Sequence, residues 1–143
     1  MAFLGVDHVD LRVPVLGVVE TFYDGLFARL GLTRKTYAQG EFGGASWNEG
    51  SPEAYNAVEY HEEGVSGRPP LFFGVIEEVS AQPSRGRIAF AVAKETLDDW
   101  ERALPALGAR EIERSDDDEA YPAVFFTDPL GTRLEVCARR NAP

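Results

Sequence analysis

The stretch FFTDPLGTRLEV, residues 125–136, decides the fold and raises the main question about the site. Its apolar run ends in Asp-Pro-Leu-Gly, a turn in which proline and glycine supply special backbone angles, and an extended segment follows. Side chains alternate across a strand, so Leu134 and Val136 share one face while Glu135 points to the other. Two interpretations stay open: Glu135 faces open water, or it lines a cleft.

Composition limits the class of protein. A chain of 143 residues with 44% hydrophobic residues predicts one ordinary folded domain, and no apolar run is long enough to span a bilayer. Asp7 and His8 stand where a signal peptide needs its apolar centre, and the single cysteine, Cys137, fits a reducing compartment, so we expect a cytoplasmic protein. The net charge of −10 argues against a nucleic-acid partner and would attract a cationic ligand.

Four short segments recur in the same order in the two halves of the chain, which indicates an internal repeat. Each half has a strand-like segment, then an apolar pattern of three- and four-residue steps typical of a helix, which ends at a Leu-Gly signal. The recurring pairs are HVDLRV (8–13) with RIAFAV (87–92), LGL (30–32) with LGA (107–109), AYNAV (54–58) with AYPAV (120–124), and LFFGV (71–75) with TRLEV (132–136).

The repeat predicts an α+β fold of two tandem βαβββ modules within one domain, residues 1–143. Module one spans about 1–77 and module two about 86–139, joined by the polar segment 77–86. The predicted strands are 4–13, 33–38, 55–61 and 71–77, followed by 86–93, 109–114, 121–127 and 132–138.

Local signals refine the second helix and one loop. Thr96 followed by Asp99 predicts an imperfect capping box, and Pro105 predicts that the helix ends or bends near Leu104. The segment 40–53, rich in Gly, Ser and Asn, is the expected excursion of the first module. Trp47 within it is either a buried anchor or a lid over a cleft.

This pattern resembles the glyoxalase/bleomycin-resistance/extradiol-dioxygenase superfamily, also called vicinal oxygen chelate. The resemblance rests on DHVDLRV leading into a helix with FYDGLFARLGL, and on FFTDPLGTRLEV near the end of the chain. It implies that each module forms a curled, mixed half-barrel sheet and that the modules enclose a cleft, which in the enzymes holds a divalent metal. On this resemblance, Glu135 is the metal carboxylate of the last strand.

Side-chain alternation puts His8, Arg87 and Glu135 on the polar faces of three predicted strands, and we expect them to face one cleft. Metal-dependent relatives carry a histidine at the position of Arg87, and some carry a carboxylate where Gly74 stands. A guanidinium has no lone pair and stays charged, so His8 and Glu135 form an incomplete metal set. A divalent metal (zinc, iron, manganese or nickel) is therefore a candidate cofactor that we expect to be absent rather than present.

Other roles remain open for these residues. Arg87 either forms a buried ion pair with Glu135 or holds the carboxylate or enolate of an anionic substrate. His8 and Glu135 are the candidate catalytic groups, and Tyr121 is a candidate substrate-binding hydroxyl. His61, together with Glu59 on the same strand face, could substitute as a ligand, although nothing in the sequence places them near His8.

The sequence therefore predicts a glyoxalase/dioxygenase-like small-molecule enzyme with an incomplete metal site. The alternative is a metal-free small-molecule binding or drug-sequestering protein of the bleomycin-resistance type. Neither needs a membrane partner. Because curled sheets leave strand edges that a partner usually covers, and because relatives pair, a homodimer is expected.

Overall fold

The computed structural model describes residues 1–41 and 47–138, so residues 42–46 of the predicted excursion and residues 139–143 lie outside it. The chain forms two compact units; the first ends at Gln82 and the second begins at Pro83. That boundary lies inside the polar segment 77–86. No helix within the described ranges is both long and apolar enough to cross a membrane.

The first unit places one helix against a five-stranded sheet. The sheet order is β1-β5-β4-β2-β3, with β1 parallel to β5 and the other neighbours antiparallel. Helix α1 packs its aromatic face on the sheet, where Tyr23 and Phe27 contact the ring of Phe73. The elements are β1 (His8–Val13), α1 (Leu16–Leu30), β2 (Arg34–Gly40), β3 (Trp47–Glu49), β4 (Ala57–His61) and β5 (Phe72–Glu77).

The second unit repeats this plan with a four-stranded sheet. The sheet order is β6-β9-β8-β7, with β6 parallel to β9 and the other neighbours antiparallel. Helix α2 buries Leu97, Trp100 and Leu104, which follow its three- and four-residue spacing. The elements are β6 (Ile88–Ala91), α2 (Leu97–Leu107), β7 (Arg110–Arg114), β8 (Ala123–Thr127) and β9 (Arg133–Cys137).

The predicted α+β fold of tandem modules is confirmed, with two open mixed sheets rather than closed barrels. The sequence interpretation missed one strand, β3, which makes the first unit longer than βαβββ. All three of its residues are exposed, so they carry no alternation of buried and open positions that could have predicted a strand.

Two local expectations in the second helix fail: the helix does not end near Leu104, and it has no capping box. The helix continues through Pro105 to Leu107, because Gly108 in the left-handed conformation closes its last turn and Ala109 donates to the Leu104 carbonyl. The capping box is absent: Thr96 has helical backbone angles, and its hydroxyl donates to the Ala93 carbonyl at 2.6 Å. The helix is entered through a short 3₁₀ turn, Lys94–Thr96.

The end of α1 gives a stability prediction. Gly31 has φ +83°, so Gly31→Ala should destabilise the protein by about 1 kcal/mol, because a Cβ is strained in the left-handed region. Gly17 lies near the start of the same helix, and a Cβ there meets nothing within 4 Å. Gly17→Ala is the matched control and should stabilise by about 0.5 kcal/mol. Urea unfolding measures both, and a shift of the same sign in the two variants would contradict the argument.

Candidate functional site

The turn before β9 sets the orientation of Glu135. The Asp128 carboxylate is buried and accepts the backbone N–H groups of Leu130, at 2.8 Å, and of Thr132, at 3.0 Å. Gly131 takes φ +95°, which completes the turn. The strand register then puts Glu135 between Ala89 on β6 and Phe125 on β8.

The face that Glu135 occupies is not open water, because only 3% of the residue is exposed. The Tyr121 hydroxyl donates to Glu135 Oε1 at 2.5 Å. This hydrogen bond is the main cause that raises the pKa of Tyr121 to about 12, so the hydroxyl keeps its proton at neutral pH. Tyr121 itself is half exposed and thus connects the buried carboxylate to the surface.

Arg87 lies on an aromatic ring and not on a carboxylate. Its guanidinium carbon is 4.6 Å from the ring centre of Phe125. The Tyr121 ring also stacks on the Phe125 ring, with 6.2 Å between the ring centres. Among the described residues, no carboxylate lies within ion-pair distance of Arg87. The predicted alternative of an Arg87–Glu135 ion pair is therefore wrong, because the carboxylate is held by Tyr121 and the guanidinium by Phe125.

The second unit thus brings together three of the predicted site residues, Arg87, Tyr121 and Glu135. Phe125 completes the group, and sequence reasoning missed it. The turn after Thr127 predicts that the two strands pair as a hairpin, but Phe125 lies opposite Glu135 only because the loop between the paired residues Thr127 and Arg133 has five residues, 128–132. A cavity of about 410 Å³ is lined by Arg87, Tyr121 and Phe125 together with the end of β7 and the loop that follows it.

His8 lies in the first unit, in a stack of three rings. Its imidazole is parallel to the Phe72 ring at 4.6 Å, and His61 stacks on Phe72 at 5.2 Å. His8 Nδ1 bonds the Asp7 carboxylate at 2.7 Å, and this bond is the main cause that raises the pKa of His8. Burial, with the nearby Arg34 charge, lowers the pKa of His61. The pairing of β1, β5 and β4 thus places His61 near His8, which the sequence alone did not establish.

Two carboxylates meet one row further along this sheet. Asp10 and Glu59 both lie opposite Gly74, from the strands on either side of it. A Cβ at Gly74 would lie 2.7 Å from Asp10 Oδ1, so the missing side chain leaves room for the Asp10 carboxylate. Burial, followed by the charge of Asp10, raises the pKa of Glu59, although a hydrogen bond from the Trp47 side chain partly opposes this.

These side chains line a cavity of about 250 Å³, which we call the first-unit pocket. Trp47 is 43% exposed and forms part of its wall, so the expectation of a buried anchor is wrong. The sequence could not have identified the pocket, because its residues come from strands that are adjacent in the sheet but distant along the chain. The lining residues are His8, Asp10, Arg12, Trp47, Glu59 and Phe72.

A comparison with protein families is decisive for the identity of the fold. The family model described as a glyoxalase-like domain matches residues 9–137. The chain belongs to this family. It is accordingly a member of the vicinal oxygen chelate superfamily, as the sequence pattern predicted. No curated protein matches the chain significantly.

Solved structures share this glyoxalase-like fold at low sequence identity. A glyoxalase/bleomycin resistance protein from Albidiferax ferrireducens T118 is 20% identical with a TM-score of 0.63, over 94% of this chain and 98% of that one. The fosfomycin resistance protein FosX from Listeria monocytogenes, complexed with Mn(II) and sulfate, is 20% identical with a TM-score of 0.59, over 97% and 95%. An integron cassette protein from the Halifax Harbour sewage outfall metagenome is 20% identical with a TM-score of 0.61, over 96% and 100%.

The residues of this glyoxalase-like chain do not fit a divalent metal of the kind bound by that FosX. Arg87 offers only donors, and one oxygen of Glu135 already accepts the Tyr121 hydroxyl. Across residues 1–41 and 47–138, no three His, Cys, Asp or Glu side chains are grouped so that they could hold a metal ion. The His8–Glu135 ligand set, and the common cleft of His8, Arg87 and Glu135, stay predictions.

Proposed function

We propose that this chain is a glyoxalase/dioxygenase-like small-molecule enzyme with an incomplete metal site, in which residues of the second unit carry the proton transfer. The observation that supports this is the separation of Arg87 from Glu135. The Glu135 carboxylate accepts the Tyr121 hydroxyl at 2.5 Å, and Arg87 has no carboxylate partner among the described residues. Both residues lie on the same face of the sheet. Arg87 lines the cavity of about 410 Å³ and keeps its N–H donors for a ligand, and Glu135 shares only one of its two oxygens with Tyr121.

The arrangement suits proton abstraction next to a carbonyl group. Arg87, supported on the ring of Phe125, binds the carboxylate or carbonyl oxygen of a small anionic substrate through its planar fork. Glu135 takes the proton from the adjacent carbon, and the electron pair moves to the carbonyl oxygen as an enolate. The guanidinium stabilises that enolate charge, while Tyr121 fixes the orientation of the carboxylate.

Deuterium exchange tests this proposal without knowledge of the final product. We expect the protein, in D₂O with excess EDTA, to exchange the α-protons of a small 2-oxo acid such as pyruvate or 2-oxobutyrate faster than buffer, as followed by NMR. Exchange that requires added metal would contradict the proposal. Absence of exchange across such a panel would contradict it too and would favour the second candidate function.

The second candidate is a metal-free small-molecule binding or drug-sequestering role. It is favoured by the net charge of −10 and by the carboxylates of the first-unit pocket, which suit a cationic ligand. Calorimetry distinguishes the two roles, since a sequestering protein binds its ligand tightly and leaves it unchanged.

His8 is proposed as a second catalytic group, a proton donor in the first unit. The carboxylate of Asp7 raises the pKa of His8, so the imidazolium is more populated at neutral pH than in a free histidine. A protonated imidazole can donate its proton to a bound substrate.

Assembly gives a separate prediction. Each sheet ends in edge strands, β1 and β3 in the first unit and β6 and β7 in the second. Edge strands offer unpaired backbone groups that a second copy can cover, so we propose a cytoplasmic homodimer. Light scattering at micromolar concentration should then give twice the chain mass of 15.7 kDa. The monomer mass under the same conditions would contradict the prediction.

A further inference from the structure

We propose that the first-unit pocket binds a small zwitterion, a compound with an ammonium group at one end and an anionic group at the other. This goes beyond the proposed proton transfer, because it names the chemical class of ligand for the first-unit pocket and rests on Asp10, Arg12 and Glu59, to which no proton transfer is assigned. The pocket combines two carboxylates, the aromatic rings of Trp47 and Phe72, the imidazole of His8 and a guanidinium around one cavity of about 250 Å³.

In the part of the chain that the structure describes, the acidic end of the pocket has no lysine or arginine beside its carboxylates. Asp10 and Glu59 flank Gly74, and among the described residues neither has a Lys or Arg nitrogen within ion-pair distance. The nearest charged partner of Asp10 is His8 Nε2, at 3.8 Å. Two neighbouring carboxylates repel each other, and an ammonium group with three N–H donors can bond to both.

Aromatic rings stand beside these carboxylates. The ring of Trp47 rests against Gly40, where a Cβ would come within 2.7 Å of two of its ring carbons, and its side chain also bonds Glu59. Phe72 provides a second ring and is itself held between two imidazoles. Aromatic faces attract ammonium groups, so rings and carboxylates favour the same end of a ligand.

Arg12 gives the pocket its opposite charge. It lies two residues after Asp10 on β1, so both side chains project from the same face. Arg12 is half-buried, and the described part of the chain offers it no hydrogen-bonding or ion-pair partner. A guanidinium in this state suits the carboxylate or phosphonate of a ligand, which a simple amine would not supply.

Three probes of equal chain length test the two ends separately: 4-aminobutyrate, butylamine and butyrate. Quenching of Trp47 fluorescence, or calorimetry, should give 4-aminobutyrate a Kd at least tenfold lower than that of either singly charged compound. Glycine and phenylalanine extend the set to the shorter charge spacing of an α-amino acid, without and with an aromatic side chain. The proposal is overturned if no zwitterion in the set binds more tightly than butylamine and butyrate.

Variants locate the binding. Glu59→Gln should weaken 4-aminobutyrate at least tenfold, and Arg12→Gln should weaken it similarly while leaving butylamine unchanged. Glu53→Gln, an exposed glutamate of the same unit, is the matched control and should leave all affinities unaltered. Equal loss of 4-aminobutyrate and butylamine in Arg12→Gln would overturn the zwitterion assignment. Binding of 4-aminobutyrate is measured without any 2-oxo acid exchange, so failure here and failure of the proposed proton transfer are separate results.

Discussion

Glu135→Gln is expected to lower the deuterium exchange rate of the 2-oxo acid at least a hundredfold. The amide keeps the volume of the side chain and its hydrogen bond to Tyr121, but it removes the base that takes the proton. A positioned general base increases the rate by about 10²–10⁴-fold. Its removal should therefore abolish most of the exchange that depends on the protein. NMR exchange rates in D₂O with EDTA provide the measurement.

The controls separate loss of chemistry from loss of structure. Glu119 is an exposed glutamate in the loop before Tyr121, and Glu119→Gln should exchange at the native rate. Because Glu135 is buried, urea unfolding should accompany the assay and show that the variant remains folded. A folded Glu135→Gln protein with native exchange would assign the base to another residue.

Sequence patterns were sufficient where local physics decides the structure. The alternation of Leu134, Glu135 and Val136 assigned the correct face to each side chain, and the glycines after both helices were correctly predicted to end them. The repeat correctly predicted that the two units share one order of strands and helix, because the hydrophobic pattern of each unit lies within its own segment of the chain. The end of the second helix was predicted too early, at Leu104 instead of Leu107. The helix-breaking effect of Pro105 is smaller than the stabilisation from the buried Leu104 side chain and the Gly108 cap.

The candidate site depended on non-local pairing, which the sequence does not display. Phe125 and Glu135 lie opposite each other in the β8–β9 hairpin; the turn predicts that these strands pair, but it does not give their register. In contrast, Asp10 and Glu59 meet only because β5 inserts between β1 and β4. Composition also could not decide between an Arg87–Glu135 ion pair and two separately held charges, because the choice depends on ring positions and hydroxyl contacts.

The same positions carry different chemistry in the two units. The strand registers make Gly74 the counterpart of Glu135, because Gly74 lies opposite Asp10 as Glu135 lies opposite Ala89. In the first unit the carboxylate comes from the neighbouring strand, and in the second it comes from the last strand. Thus each unit retains an acidic group at this level of its sheet, and the two units use different strands to supply it.

The second large effect is expected from Arg87→His. In the native protein we expect no stoichiometric zinc, iron, manganese or nickel, as measured by elemental analysis of protein purified without a metal-affinity tag. The substitution removes a positive charge near Glu135 and adds a lone pair. The repulsion between two unit positive charges ~4 Å apart is roughly 4 kcal/mol at an effective dielectric of 20. Because the substitution removes this repulsion and adds a ligand, divalent-metal affinity should rise at least tenfold and up to about a thousandfold.

His8 provides the decisive test of this prediction, because the superfamily resemblance predicts that it belongs to the same ligand set. Adding His8→Ala to Arg87→His should cancel most of the gained affinity, whereas His61→Ala should leave it intact. The single variant His8→Ala should change little, since the native set is incomplete. Calorimetric titration with Mn²⁺ and Zn²⁺ measures all of these proteins. If native protein binds either ion tightly and Arg87→His leaves that affinity unaltered, Arg87 does not occupy a ligand position, and the assignment of an incomplete metal site is wrong.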